Sequence, residues 1–195
     1  MVKIENLKIY ELKESIIACR NAMRINLPDY ESLDEFEKSL NRAISLCKTP
    51  SNSGEANFLT GIRVAFDITY PNYFSPELQR YHWIDIVTSS SKMHKLSSIA
   101  IAGSFNKYVS SENIEMMRIL AANFNIDPTY ENRMKLLSNC PQGIELFMRI
   151  NTNYMQLKNI YHQRKNHRLK EDWGEFCSMI ENLPYFEEFI NTTKL

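Results

Sequence analysis

Three groups of polar residues in this chain have types and spacings that could do chemistry. The first is Glu77-Leu-Gln-Arg80-Tyr81-His82, followed after seven residues by Ser90 within Thr88-Ser89-Ser90-Ser91-Lys92. An arginine offers a planar fork of donors, the hydroxyls add further donors and Lys92 adds charge, which suits the stretch to cradling an anion. It reads equally as a solvated helix end followed by a serine-rich turn.

The second group is Asn153, Gln156, Asn159 and Arg164. Residues 153 and 164 are eleven positions apart, almost three turns at 3.6 residues per turn. That spacing predicts both side chains on one helix face, away from a Tyr154, Leu157, Tyr161 stripe. Such a face suits the edge and phosphate of a nucleotide, and equally plain solvent. The third group is His162-Gln-Arg164-Lys165-Asn166-His167-Arg168-Leu-Lys170, a local positive patch. It is suited to a phosphate, to RNA or to a subunit interface with acidic neighbours. His162 and His167 are five apart, not the i, i+4 pair of a helical zinc site, and no metal is expected.

These residues must be positioned by a chain of 195 residues with 23 Lys+Arg against 23 Asp+Glu. That length predicts a single domain with a sizeable core. A formal net charge of zero argues against a protein whose main business is gripping nucleic acid or an acidic membrane. The apolar runs are too short to span a bilayer, and the first residues, Met-Val-Lys-Ile-Glu-Asn, lack the apolar core of a signal peptide. Cys19, Cys47, Cys140 and Cys177 are scattered, with no CxxC pair, and read as small core residues of a reducing, cytosolic protein.

Periodicity then predicts the elements. Residues 2–9 suit a strand, Leu12 to Met23 a helix ended before Pro28, and Leu33 to Ile44 a second helix ended before Pro50, with 51–54 a loop. Ile62, Val64, Phe66, Ile68 and Tyr70 alternate with smaller or polar residues, the pattern of a half-buried strand stopped by Pro71. Ser75-Pro76-Glu77 reads as the capped start of a helix carrying Leu78 to His82, after which Trp83–Val87 suits either helix or strand. Helices are expected over 114–124, capped by Ser110 or Ser111, and from Pro128 through Leu137. Phe147, Ile150, Tyr154, Leu157 and Tyr161 predict one long helix, and Trp173 to Leu183 a last one before Pro184.

At this point the arrangement resembles a family, the flavin-dependent thymidylate synthases, or thymidylate synthase complementing proteins. Their signature is Arg-His-Arg, seven residues, then Ser; here it is Arg80-Tyr81-His82, Trp83 to Ser89, then Ser90. Upstream, Val64-Ala-Phe66-Asp-Ile68, Pro71 and Pro76–Gln79 match the strand, proline and helix that lead into the signature. Downstream, Cys140-Pro141 stands for a Leu-Pro, Asn153 and Arg164 keep the spacing of an Asn and an Arg eleven residues apart, and Asn159 falls where family members contact flavin. The tail, Leu183-Pro184-Tyr-Phe186-Glu-Glu-Phe189, is similar as well, so the resemblance spans about residues 60–190. Departures are Tyr81 for His, His82 for the second Arg, Glu77 for Gln, Thr88 for an acid, Leu137 for an Arg and Lys92 for an Arg. The change at 82 replaces a permanent charge by a group with a reference pKa of about 6.5.

The resemblance implies an α+β fold, helices packed on an antiparallel sheet, and a reaction in which reduced FAD delivers hydride to a uracil ring. NADPH and a folate would serve as reductant and one-carbon donor. It implies Arg164 and Ser90 as catalytic residues, Arg164 lying against the pyrimidine and favouring its ionised form. Arg80, Tyr81, His82, Asn153 and Asn159 would hold flavin; Glu77, Arg80, Ser89, Ser90, Lys92 and Arg164 would hold the pyrimidine nucleotide. The family assembles such sites between subunits of a homotetramer, which implies a tetramer or dimer here, and similar sequences in phage genomes imply a phage-encoded protein in a bacterial cytoplasm. Three readings follow: a flavin-dependent enzyme acting on a pyrimidine deoxynucleotide; a catalytically inactive phage paralogue that keeps the nucleotide pocket and acts as a binding or interaction protein; and an unrelated α+β domain whose segment 162–170 binds nucleic acid. The first two require Arg80, Ser90 and Arg164 to meet around one concave space, in one chain or between copies.

Overall fold

The computed structural model describes residues 1–50 and 53–192. Its centre is the alternating segment, strand β2 (Arg63–Pro71), in which Val64, Phe66, Ile68 and Tyr70 are buried. On one side β2 pairs antiparallel with β1 (Lys3–Tyr10), and on the other with β4 (Glu145–Asn153), which pairs in turn with β3 (Asp85–Ser89). The sheet order is β1-β2-β4-β3, and every neighbouring pair is antiparallel. The elements thus form helices on an antiparallel sheet, as the resemblance implied.

Eight α-helices accompany the strands among the described residues: α1 (Leu12–Ala18), α2 (Leu33–Cys47), α3 (Ser75–Leu78), α4 (Lys92–Ala102), α5 (Ser111–Ile126), α6 (Tyr130–Ser138), α7 (Tyr154–Arg164) and α8 (Lys170–Glu181). Ser32, Ser110 and Thr129 cap α2, α5 and α6 by accepting the N–H three residues on, which satisfies an otherwise orphaned donor. Beneath the sheet Phe66, Phe74, Trp173 and Phe176 form one aromatic layer, with centroids 5.8 Å apart for Phe66–Phe176 and 4.6 Å for Phe74–Trp173. A second cluster, Leu96, Ala100, Met117, Ala121, Leu136 and Ile144, is built mainly from α4, α5 and α6. None of the described helices is long and apolar enough to cross a membrane.

Several expected elements change. The long helix over 147–161 is a strand followed by a helix: Leu146, Met148, Ile150 and Thr152 are buried in alternation and β4 pairs with β2 along nine residues, so period two wins and α7 starts only at Tyr154. Asn153 and Arg164 therefore do not share a helix face, because Asn153 is the N-cap of α7 and Arg164 its last residue. The helix expected to reach Met23 stops at Ala18, and Met23 lies 84% exposed. Ser75 is the first residue of α3 rather than its cap, and α3 stops at Leu78 instead of running to His82. Trp83–Val87 resolves into the entry to β3, and α4 arises where no helix was expected. The loop at 51–54 falls partly outside the described residues.

All four cysteines are free; Cys47 and Cys177 are buried, and Cys19 and Cys140 are half-buried. Burial pushes the thiols of Cys47 and Cys177 up to about 12 and about 11. A neutral-pH thiol reagent needs the thiolate, so both should react only after unfolding, as alkylation counted by mass spectrometry with and without denaturant will show. Phe66 is fully buried between β1 and β4. Phe66→Ala should lower stability by about 3–5 kcal/mol in urea titration, whereas a loss under 1 kcal/mol would show that this layer is not the core.

Candidate functional site

The Glu77 carboxylate, on α3, draws the first two polar groups together. Its Oε2 accepts from Trp173 Nε1 at 2.8 Å and from Arg164 Nη1 at 3.2 Å, with His167 Nε2 at 3.5 Å. One oxygen thus ties α3 to the end of α7, to the following turn and to α8. Arg164 Nε donates to the Tyr81 hydroxyl at 2.7 Å, and that hydroxyl donates to Gln163 Oε1 at 3.1 Å. The guanidinium carbon lies 4.6 Å from the Trp173 ring centroid and 5.5 Å from that of Tyr81, so two aromatic faces hold the cation as well. Arg164 Nη2 has no acceptor among the described residues. The Leu169 N–H donates to His167 Nδ1 at 3.2 Å, which leaves the proton of the neutral ring on Nε2, facing Glu77.

Local sequence explains the placement. The short helix α3, with Pro76 in its first turn, follows β2 after one 3-10 turn, Asn72–Phe74, and buries Leu78, which sets Glu77 over the α7–α8 turn. Asn153 Oδ1 accepts from the Gln156 N–H at 2.9 Å and starts α7 at the end of β4, so the helix runs back along the sheet and delivers Arg164 to Glu77.

A second concave region lies at the other end of α7. Arg63, Trp83, Asn153 and Met155 line a hollow of about 530 Å³ together with Asn57 and Thr60. Trp83 is 66% exposed there, while its carbonyl accepts from Thr152 Oγ1 at 2.8 Å. Arg63 pairs with Asp85 at 3.4 Å, beside Trp83. Asn159 lines an adjoining hollow of about 290 Å³ that shares Asn57 and Met155. A flat exposed indole, a guanidinium and amide groups are the fittings of a site for a planar heteroaromatic ring.

The structure thus brings Glu77, Tyr81 and Arg164 into direct contact, and Asn153 and Asn159 into neighbouring hollows. The others stand apart. Arg80 and His82 are exposed, and their side chains have no hydrogen bond or ion pair among the described residues. Ser90 follows the end of β3: its N–H donates to the Phe147 carbonyl at 2.8 Å and its hydroxyl accepts from the Phe147 N–H at 3.0 Å. Phe147 and Asn153 are six residues apart on β4, about 20 Å at strand rise, so Ser90 and Asn153 do not meet in one protomer. Ser89 is exposed, and Lys92 Nζ donates to Asn72 Oδ1 at 2.8 Å. No group of three or more His, Cys, Asp or Glu among the described residues could hold a metal ion. Sequence reasoning missed Trp173, which looks like a core residue because only its Nε1 turns outward to a carboxylate, and Trp83 and Arg63, for which no motif signals a pocket.

No protein-family profile and no characterised protein sequence matches the chain. Solved structures do. Two crystal structures of the flavin-dependent thymidylate synthase ThyX from Helicobacter pylori, both with FAD and dUMP, superpose with TM-scores of 0.71 and 0.72 at 14% identity. The alignments cover 98% and 100% of this chain and 100% of each of those chains. The UMP/dUMP methylase PolB from Streptomyces cacaoi, bound with 5-Br dUMP, superposes with a TM-score of 0.67 at 10% identity, over 100% of this chain and 97% of that one. The chain has the fold of these proteins along its whole length.

The Glu77 junction has a measurable consequence. Glu77→Ala leaves the Trp173 N–H and Arg164 without their carboxylate and should cost about 1–3 kcal/mol in urea titration. Glu77→Gln keeps an acceptor and should cost less. Equal, negligible losses in both would show that the junction contributes nothing to stability.

Proposed function

We propose that this protein binds a flavin and a pyrimidine nucleotide in the manner of the flavin-dependent thymidylate synthases whose fold it has. The observation that carries this reading is that Arg164 touches Tyr81 and Glu77, so the downstream helix of the resemblance meets the 77–82 segment on that fold. The hollow of about 530 Å³ beside Trp83, Arg63 and Asn153 fits a planar ring in size and in donor chemistry. FAD bound to this chain would supply hydride to the uracil ring, with NADPH and a folate as the further reactants of the family reaction. The chain's own residues would bind and orient: Asn153, Asn159, Arg80, Tyr81 and His82 toward the flavin, and Glu77, Ser89, Ser90 and Lys92 toward the nucleotide. Arg164 would place its charge by the pyrimidine and favour the ionised ring.

A second reading is a chain that binds these ligands without turnover. It is favoured by two contacts: Glu77 already compensates the charge of Arg164, and the Ser90 hydroxyl is bonded to the Phe147 N–H. Both readings require the separated Ser90 and Asn153 regions to act across copies of the chain, as a dimer or tetramer. Light scattering should then report a multiple of 22.9 kDa, and a monomer in the presence of ligand would remove that requirement's basis.

Purified protein titrated with FAD decides the common part. Flavin absorbance retained after gel filtration is expected, and no uptake overturns the proposal. Arg164→Ala should weaken dUMP binding about tenfold or more, the size of a lost charge-assisted contact, with flavin content retained. Thymidylate formed from dUMP, NADPH and the folate marks the enzyme; binding without product marks the second reading.

A further inference from the structure

We propose that the hollow between the end of α7 and the start of α8 is a binding site for an oligophosphate, either free pyrophosphate or the phosphate tail of a nucleotide. Its volume is about 460 Å³, and Arg164, Lys165, His167 and Lys170 stand on its walls around Trp173 and Gly174. Lys165 and Lys170 are exposed and have no acidic partner among the described residues. Arg164 turns Nη1 and Nε to Glu77 and Tyr81 but keeps Nη2 without an acceptor.

Two carboxylates at the start of α8 are engaged away from this wall, and a third, Glu77, balances Arg164 within it. Glu171 accepts from Lys107 Nζ at 2.9 Å and from the Tyr108 hydroxyl at 2.7 Å. Asp172 is buried, accepting from the Val2 N–H at 3.0 Å and the Tyr73 hydroxyl at 2.8 Å. Glu77 is shared by Arg164, Trp173 and His167. A protein with zero formal net charge therefore carries two lysines, Lys165 and Lys170, without an ion pair among the described residues beside a guanidinium that Glu77 balances. Space is kept open as well: a Cβ at Gly174 would meet nothing within 4 Å, and Gly174 lies one turn beyond Lys170 on the same face of α8. Two or three linked phosphates would spread their charge across several cations, which a single monovalent ion cannot do.

The site shares Arg164 with the proposed nucleotide reading, whereas Lys165, His167, Lys170 and Gly174 play no part in that reading, so variants of those residues test the site separately. Isothermal titration with inorganic pyrophosphate tests it, with dUTP as the second arm. Saturable binding of pyrophosphate is expected, and dUTP binding more tightly than pyrophosphate would identify the nucleotide tail as the source. Lys165→Gln combined with Lys170→Gln should weaken binding about tenfold or more. Gly174→Leu, which projects a bulky side chain into the hollow without altering charge, should weaken it as well. Lys48→Gln, an exposed lysine at the end of α2, should change nothing, and FAD uptake should be the same in all variants. Absence of pyrophosphate and dUTP binding, or binding unchanged in the double variant and in Gly174→Leu, overturns the site whether or not flavin binds.

Discussion

One carboxylate oxygen holds α3, α7 and α8 in register. Glu77 Oε2 receives donors from α7, α8 and the turn between them, and each of those donors has a second attachment. Arg164 stacks on Trp173, Trp173 packs on Phe74 and Phe176, and the Nδ1 of His167 accepts from the backbone of Leu169. Half-exposed ion pairs are usually worth little by themselves. Here the pair is joined by an indole N–H and two aromatic faces, so the geometry is fixed by packing and the charge merely selects it.

That arrangement also bears on chemistry. A guanidinium whose charge is already balanced polarises a ligand less than a bare one, because the carboxylate lies in the same local field. The resemblance places a neutral Gln where Glu77 stands. The substitution converts a hydrogen-bonding neighbour into a counter-ion, and Tyr81, at the position of a family His, adds a phenol that takes the Nε donor. Two departures that look separate in the sequence therefore act on one guanidinium.

Much of the scaffold was legible before any coordinates. The alternation of Val64, Phe66, Ile68 and Tyr70 could only be a strand with one buried face, and a serine cap at 110 or 111 follows from position before an apolar period, the structure choosing Ser110. The misread segment is instructive. Phe147, Ile150, Tyr154, Leu157 and Tyr161 fit helical spacing across a boundary where the real period changes from two to 3.6, and only the pairing of β4 with β2, distant in sequence, decides it. Helix α4 was unreadable because serines and lysine flank it and its apolar residues complete a cluster with α5 and α6 rather than with the sheet. Of the site, the resemblance associated Arg164 with the 77–82 segment, and the contact with Glu77 and Tyr81 is there, while Arg80 of the same segment stands apart. The roles of Trp173, Trp83 and Arg63 depend on which atoms face outward, and spacing carries no record of that.

The central ladder also sets how this chain must be made. It joins Arg63 to Asn153 and Pro71 to Glu145, so β2 is synthesised long before its inner neighbour exists. Until β4 leaves the ribosome, β2 can pair only with β1, and its apolar face awaits the late helices α7 and α8. Topologies dominated by such distant pairings fold slowly, because loop closure precedes its reward. A nascent chain stalled near residue 140 would expose the most apolar strand of the protein, a natural handhold for chaperones during translation.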